Sequence, residues 1–370
     1  MKVKLVCLVL LMVLTGCTDE HILEKSGFIR TIAYDKESGE PKDSMRVTIS
    51  IPKSNHQDTI VYSVVAKSDK DAKSHFDRQN NRRLVTGQLR QVLFGEKLAR
   101  EGIWKHLDSL RRDPMIGSRM HVIIAEEDPY HILLRNDYPQ GPTAGEYIDT
   151  LIRTEAKAGD IPDSNLYTFS RDYYDEGIDP VTTIIREQKE SLIIDGVALF
   201  KDDKYVGKVE PSDRMFFGLL HHNIRAGDLY LNLKEDHDDG EQASLQFLRS
   251  RRKIHVISSS KLLQGKRLKV DIDIKVEGSL LEYIGDLDMK KPAEQRKLEE
   301  EIRKSIQTKC RSLVRTLQEK QTDPLGIGQY VRNSLPVGVW HRLDWRKVYA
   351  DADISVHVHV RIKDYGKLQH

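Results

Sequence analysis

The 370-residue chain sets 59 Lys and Arg against 57 Asp and Glu, a formal charge of +2 with both signs spread along its length. That balance argues against a nucleic-acid-binding protein, which needs a concentrated basic face. Charged residues make up 31% and hydrophobic ones 39%, and no apolar stretch beyond Leu14 approaches the roughly 18 residues of a membrane-spanning helix.

The first residues read as an export signal. Lys2 and Lys4 precede an apolar run from Leu5 to Leu14, which is too short to cross a bilayer and is followed by small residues. Leu14-Thr15-Gly16-Cys17 resembles the lipobox of bacterial lipoproteins. Residues 1–16 are therefore expected to leave as a signal peptide, with Leu14, Thr15 and Gly16 recognised by the peptidase. Cys17 is expected to carry S-diacylglycerol, with an N-acyl chain as a further option, and residues 17–26 form the tether. Burial contributes about 0.8 kcal/mol per methylene, so two or more chains on one residue anchor stably where one is marginal. Of three cysteines, Cys7 departs with the signal and Cys310 alone remains unmodified. The exported fold must stand without an internal disulfide.

Alternating residues predict a hairpin from Phe28–Tyr34 and Met45–Ile51. Ser68-Asp69-Lys70-Asp71 has capping-box form and predicts a helix through about Arg82. Gln88–Phe94 reads as a strand. Glu96–Glu101 reads as a short helix stopped by Gly102, and Ile103, Leu107 and Leu110 mark one face of the next. Met120–Ala125 is apolar throughout, as an interior strand is. Residues 126–192 read as mostly helical, with Thr143–Ala158 the clearest segment. Gly196–Phe200 and Tyr205–Val209 form a hairpin around Asp202-Asp203. Long strands follow at Asp228–Lys234, Leu245–Ser258 and Arg267–Glu277, the last with one apolar and one charged face. Pro292 to about Gln321 is a long helix whose stripe is Leu298, Ile302, Ile306, Cys310, Leu313 and Leu317. Asp353–Ile362 closes the chain as a strand. The reading is a multi-domain α+β protein of mixed and antiparallel sheets packed with helices. It comprises an N-terminal region, 27–190, and a C-terminal domain, 191–370, with a long helix on a sheet.

Catalytic signatures are missing: no GxSxG, HExxH, GxxxxGK[ST] or GxGxxG occurs. The expectation is a non-enzyme without metal or cofactor. His357 and His359 share one face of the last strand, but two ligands do not complete a metal site. Asp236–Glu241 is acidic yet lacks EF-hand spacing, and so reads as a solvated loop. Cys310 lies in the apolar stripe and reads as a small core residue rather than a nucleophile. His221-His222, beside Phe216, Phe217, Leu219 and Leu220, fits either a ligand pocket or a core cluster with a polar edge.

Taken together, these residues resemble the Ger(x)C spore-germination lipoproteins, the C subunits of nutrient germinant receptors. Besides Leu14–Cys17, the resemblance lies in Phe94–Ile103 with Leu107–Pro114, in Gly196–Gly207, and in Asp323-Pro324-Leu325-Gly326-Ile327-Gly328. It implies an α+β fold of three domains, so that 27–190 holds two. It implies lipid anchoring on the outer surface of the spore inner membrane and work alongside integral-membrane A and B subunits in triggering germination. The nutrient, and any direct binding of it, are not implied. The alternative is a solute-binding lipoprotein of a transporter, and an exported cell-wall hydrolase ranks last.

Overall fold

A computed structural model describes residues 26–365, apart from 38–43, 54–57, 136, 139–140, 142, 160, 190, 234–239 and 259. The expected signal peptide, Leu14–Cys17 and nearly all of the expected tether lie outside these residues. So do Asp236–Asp239 of the acidic loop.

Among the described residues, ten strands lie within the first 209: β1 (Ser26–Phe28), β2 (Thr31–Lys36), β3 (Met45–Pro52), β4 (Thr59–Ala66), β5 (Arg83–Val85), β6 (Gln91–Gly95), β7 (His121–Ala125), β8 (Val181–Gln188), β9 (Ser191–Lys201) and β10 (Lys204–Val209). Strands β1 and β5 pair by themselves, and the others form one eight-stranded sheet in the order β10-β9-β8-β7-β6-β2-β3-β4. Its central strands β2, β6, β7 and β8 are parallel, and both flanks are antiparallel.

Helices cover both faces of this sheet, which is why its inner strands show no polar alternation. Val122, Ile123, Ile124 and Ala125 of β7 are all fully buried. Val122 and Ile124 join Phe76, Leu98, Leu107 and Phe169 in one core. Ile123 and Ala125 join Ile132, Leu133, Ile148 and Ile152 in the other. The helix caps follow their sequence signals. Ser68 Oγ accepts from the Asp71 amide at 3.2 Å and opens helix Asp69–Gln79, and Thr143 opens helix Ala144–Ala158 in the same way.

Three strands depart from the sequence reading. Strands β4 and β5 have no counterpart in it, and β8 lies inside the stretch read as helical. The β8 segment Val181-Thr182-Thr183-Ile184-Ile185 is β-branched throughout and follows Pro180, a composition that suits a strand buried on both faces. Strands β8 and β9 are the arms of one antiparallel hairpin. The sheet therefore runs without a break across residue 191, where the rhythm of the sequence changes.

The remaining strands, β11 (Leu229–Asn232), β12 (Gln242–Ile257), β13 (Lys269–Ile284) and β14 (Asp353–Asp364), form a four-stranded sheet in that order. Strand β14 runs parallel to β13, so a crossover is required, and residues 285–352 supply it with the long helix Pro292–Glu319. All six expected stripe residues of that helix are buried, together with Val314. They meet Val270, Ile272, Ile274 and Val276 of β13, while the charged side of β13 is left to solvent. This is the helix-on-sheet α+β arrangement read from the sequence.

Ile306 is fully buried at the middle of that contact. Ile306→Ala should lower stability by about 2–5 kcal/mol through lost transfer energy and the cavity left behind. Urea unfolding followed by circular dichroism measures it.

Candidate functional site

The residues singled out by type are placed as follows. Cys310 is fully buried with its Sγ 3.9 Å from the Phe216 carbonyl oxygen, and burial, helped by nearby Asp213, pushes its thiol well above the ordinary range. A thiol held neutral there is a core group. His357 lies on the exposed face of β14, 3.4 Å from Asp271 Oδ1. His359 is exposed on the same strand. Among the described residues no group of three or more His, Cys, Asp or Glu is placed to hold a metal. Glu241, at the end of the acidic loop, is buried.

His221 stacks on Phe217 with ring centroids 5.2 Å apart, and its Nδ1 lies 3.4 Å from that of His222. Burial, then the neighbouring His222 and Arg252, bring His221 down to about 3. Burial and Arg252 lower His222 as well. Phe216, Phe217, Leu219 and Leu220 beside them are buried in the C-terminal core. The pair is thus the neutral polar edge of an aromatic cluster.

The densest polar structure lies elsewhere, around the Asp202-Asp203 turn between β9 and β10. Asp202 holds a left-handed conformation (φ 58°), which a short polar side chain tolerates better than most. On one side the turn fixes the end of helix Glu96–Glu101. The Asp203 carbonyl accepts from the Ile103 amide at 3.1 Å, and Asp203 Oδ2 accepts from the Trp104 amide at 3.0 Å. The chain can approach this closely because residue 102 is glycine. Its φ is +124°, and a Cβ there would fall 2.6 Å from Asp203 Oδ2.

On its other side the turn meets a partly buried ion network centred on buried Asp179. Arg346 donates to Asp179 Oδ2 at 3.1 Å and Oδ1 at 3.0 Å, a two-pronged geometry that only a guanidinium supplies. The same guanidinium reaches Asp202 Oδ1 at 2.6 Å and the Gln321 carbonyl at 2.9 Å. Asp179 Oδ1 also accepts from the Asp202 amide, and Oδ2 from the Asp323 amide. Thr322 Oγ1 donates to the Phe200 carbonyl.

Asp323 then caps helix Ile327–Ser334. Its carboxylate accepts from the Ile327 amide at 3.1 Å and the Gly328 amide at 2.7 Å. Burial, with Asp179 adding, pushes Asp323 up to about 7 against the pull of these two amides. Gly328 packs on Gly177, where a Cβ at 328 would lie 2.5 Å from the Gly177 Cα.

Beside the network a hollow of about 470 Å³ is lined by Tyr173, Tyr174, Trp340 and Trp345 and by carboxylates. Four of those carboxylates are committed to partners within the fold. Asp175 takes Arg332 and Gln329, Glu176 takes the Trp340 indole N–H, and Asp179 and Asp202 take Arg346. These bonds make the arrangement a joint. It locks the edge of the large sheet to the segment after the long helix. Three segments distant in sequence converge on it: Phe94–Ile103, Gly196–Gly207 and Asp323–Gly328. The sequence reading did not single out Asp179 or Arg346. They lie 167 residues apart, and no local spacing marks them as partners.

Two sheets joined in this manner define the class, an α+β protein with the architecture of a solved structure, the crystal structure of the GerBC protein. The TM-score is 0.54 at 16% identity, covering 90% of this chain and 96% of that one. A family model described as the spore germination protein N-terminal domain matches residues 19–187, and one described as spore germination B3/GerAC-like, C-terminal, matches 195–366. The chain belongs to the Ger(x)C family of spore germination proteins. It is 26% identical to spore germination protein GerQC of Bacillus cereus over 99% of both chains. It is 23% identical to putative spore germination protein YfkR of Bacillus subtilis (strain 168), over 98% of this chain and 96% of that one.

Removing one partner of a buried ion pair strands the other, so Arg346→Ala should cost about 3–5 kcal/mol, read as a drop in the urea midpoint. Asp323 supplies a pH test. Its folded value lies above its unfolded one, so its contribution is greatest below about pH 4 and declines as pH rises towards 7. Melting temperatures across that range should show the wild type losing stability relative to Asp323→Asn, with the difference levelling off above pH 7.

Proposed function

We propose that this chain is the lipid-anchored C subunit of a nutrient germinant receptor and acts by protein contacts rather than by catalysis. The reading rests on one observation: a lipobox, Leu14–Cys17, stands directly ahead of a chain that matches spore germination proteins along nearly its whole length. Among the described residues no helix is long and apolar enough to cross a membrane, so in this reading the acyl chains on Cys17 attach the protein to the outer surface of the spore inner membrane. Integral-membrane A and B subunits are its partners.

The joint at Asp179 and Arg346 suits this role. A subunit that works through contacts needs its parts held in one relative position, and a multi-partner network around a buried aspartate supplies that. A solute-binding lipoprotein fits less well. Such proteins have two similar lobes, whereas here an eight-stranded mixed sheet is joined to a four-stranded sheet carrying one long helix.

Cys17→Ala tests the reading. The variant should fold, fail to incorporate labelled fatty acid, and slow nutrient-triggered germination of spores lacking paralogous receptors. Full germination by an unlipidated variant would remove the anchor from the mechanism. Normal germination of a deletion strain in the same background would remove the protein from it.

A further inference from the structure

The eight-stranded sheet is electrically polarised along its parallel strands. Their N-terminal ends form a hollow of about 500 Å³ lined by Arg30, Arg90, Arg119, Arg153, His121 and Asp149. Backbone bonds from the Arg90 amide to the Arg30 carbonyl (2.9 Å) and from the His121 amide to the Arg90 carbonyl (2.8 Å) carry the ladder to this rim and set the three residues side by side. One carboxylate faces four guanidinium groups. Asp149 lies 3.4 Å from Arg153 Nε, and among the described residues Arg30, Arg90 and Arg119 have no acidic partner. The Arg30 Nε is buried and makes no hydrogen bond. A buried, unpaired guanidinium N–H is costly unless an acceptor meets it. At the opposite ends of the same strands, roughly 20 Å away along the chain direction, the carboxylates Asp35, Glu37, Glu96, Glu126, Glu127 and Asp128 outnumber Lys36, Arg46 and Lys97.

The chain enters the fold at the basic end. Strand β1 pairs with β5 and leads through Ile29 directly to Arg30. At Gly27 a Cβ would lie 3.7 Å from that of Arg82, another exposed basic residue. Cys17 is nine residues ahead of Ser26, a reach of at most about 32 Å. An acylated Cys17 keeps this rim within one short tether of the bilayer.

We propose that the arginine-lined hollow binds the phosphates of anionic phospholipid headgroups and seats the basic end of the large sheet on the membrane, with the acidic end pointing away. The proposal takes its membrane from the lipid-anchored reading above. The ligand chemistry follows from the site itself, since guanidinium forks pair bidentately with phosphate oxygens. Each basic side chain near an anionic surface strengthens binding about fivefold, and three unpaired arginines together give about a hundredfold.

The test uses the mature chain from Thr18, which keeps every described strand and helix and has no Cys17 to acylate. Its outcome is therefore independent of whether Cys17 is lipidated. Co-sedimentation with vesicles of phosphatidylcholine containing about one-third phosphatidylglycerol should show binding that weakens with salt, and vesicles of phosphatidylcholine alone should show none. The triple variant Arg30→Gln, Arg90→Gln, Arg119→Gln should weaken binding about a hundredfold, and Arg90→Gln alone about fivefold. The single variant at this exposed position keeps the test valid if the triple one unfolds. A control with the same loss of charge, Arg251→Gln, Lys253→Gln, Lys275→Gln on the open face of the four-stranded sheet, should bind as the wild type does. Equal binding to both vesicle types, or an equal loss in the control, overturns the proposal. So does saturable binding of inorganic phosphate without vesicle binding, which would make the hollow a site for a free anion.

Discussion

The fold depends most on the pairing of Arg346 with Asp179. One guanidinium, largely withdrawn from water, bridges the approach to β8, the turn after β9 and the chain leaving the long helix. Such a pair gains little net energy over an apolar contact, because both charges lose hydration. Its contribution is geometric. It has one satisfactory arrangement, and that arrangement requires three distant segments to be in place together.

The joint matters because the two family models meet between residues 187 and 195, whereas the backbone hydrogen bonding does not divide there. Strands β9 and β10 complete the sheet begun by the first 190 residues. Polar contacts then fasten their connecting turn to the segment after the long helix. Lys201 Nζ donates to Gln321 Oε1, and Lys320 Nζ donates to the Val206 carbonyl. A force on either part is transmitted through the Asp202-Asp203 turn rather than absorbed by a linker.

Legibility in the sequence followed the range of the physics involved. The cap at Ser68, the stop at Gly102 and the stripe from Leu298 to Leu317 are local, set by neighbours three or four residues away, and each appears where the residue pattern puts it. Strand β8 was missed because both its faces are buried, and a buried strand without alternation resembles a piece of helix. The short helices from Ile327 to Ala350 were also missed. They are too brief to show a period; Asp323 caps the first, Asp344 caps the last, and the joint holds the segment.

What the sequence determined by itself was the α+β class and the periodic elements that bury their own apolar faces. Those properties depend on order along the chain. The tertiary structure decided which charges meet. Arg30, Arg90, Arg119 and Arg153 are scattered through a nearly neutral chain, and only the adjacency of the parallel strands β2, β6 and β7, with helix Ala144–Ala158 packed beside them, gathers them at one rim. Parallel neighbours are joined by long crossovers, so residues that share a site there are always far apart in sequence. Composition reports their sum, and the strand order determines the field they make.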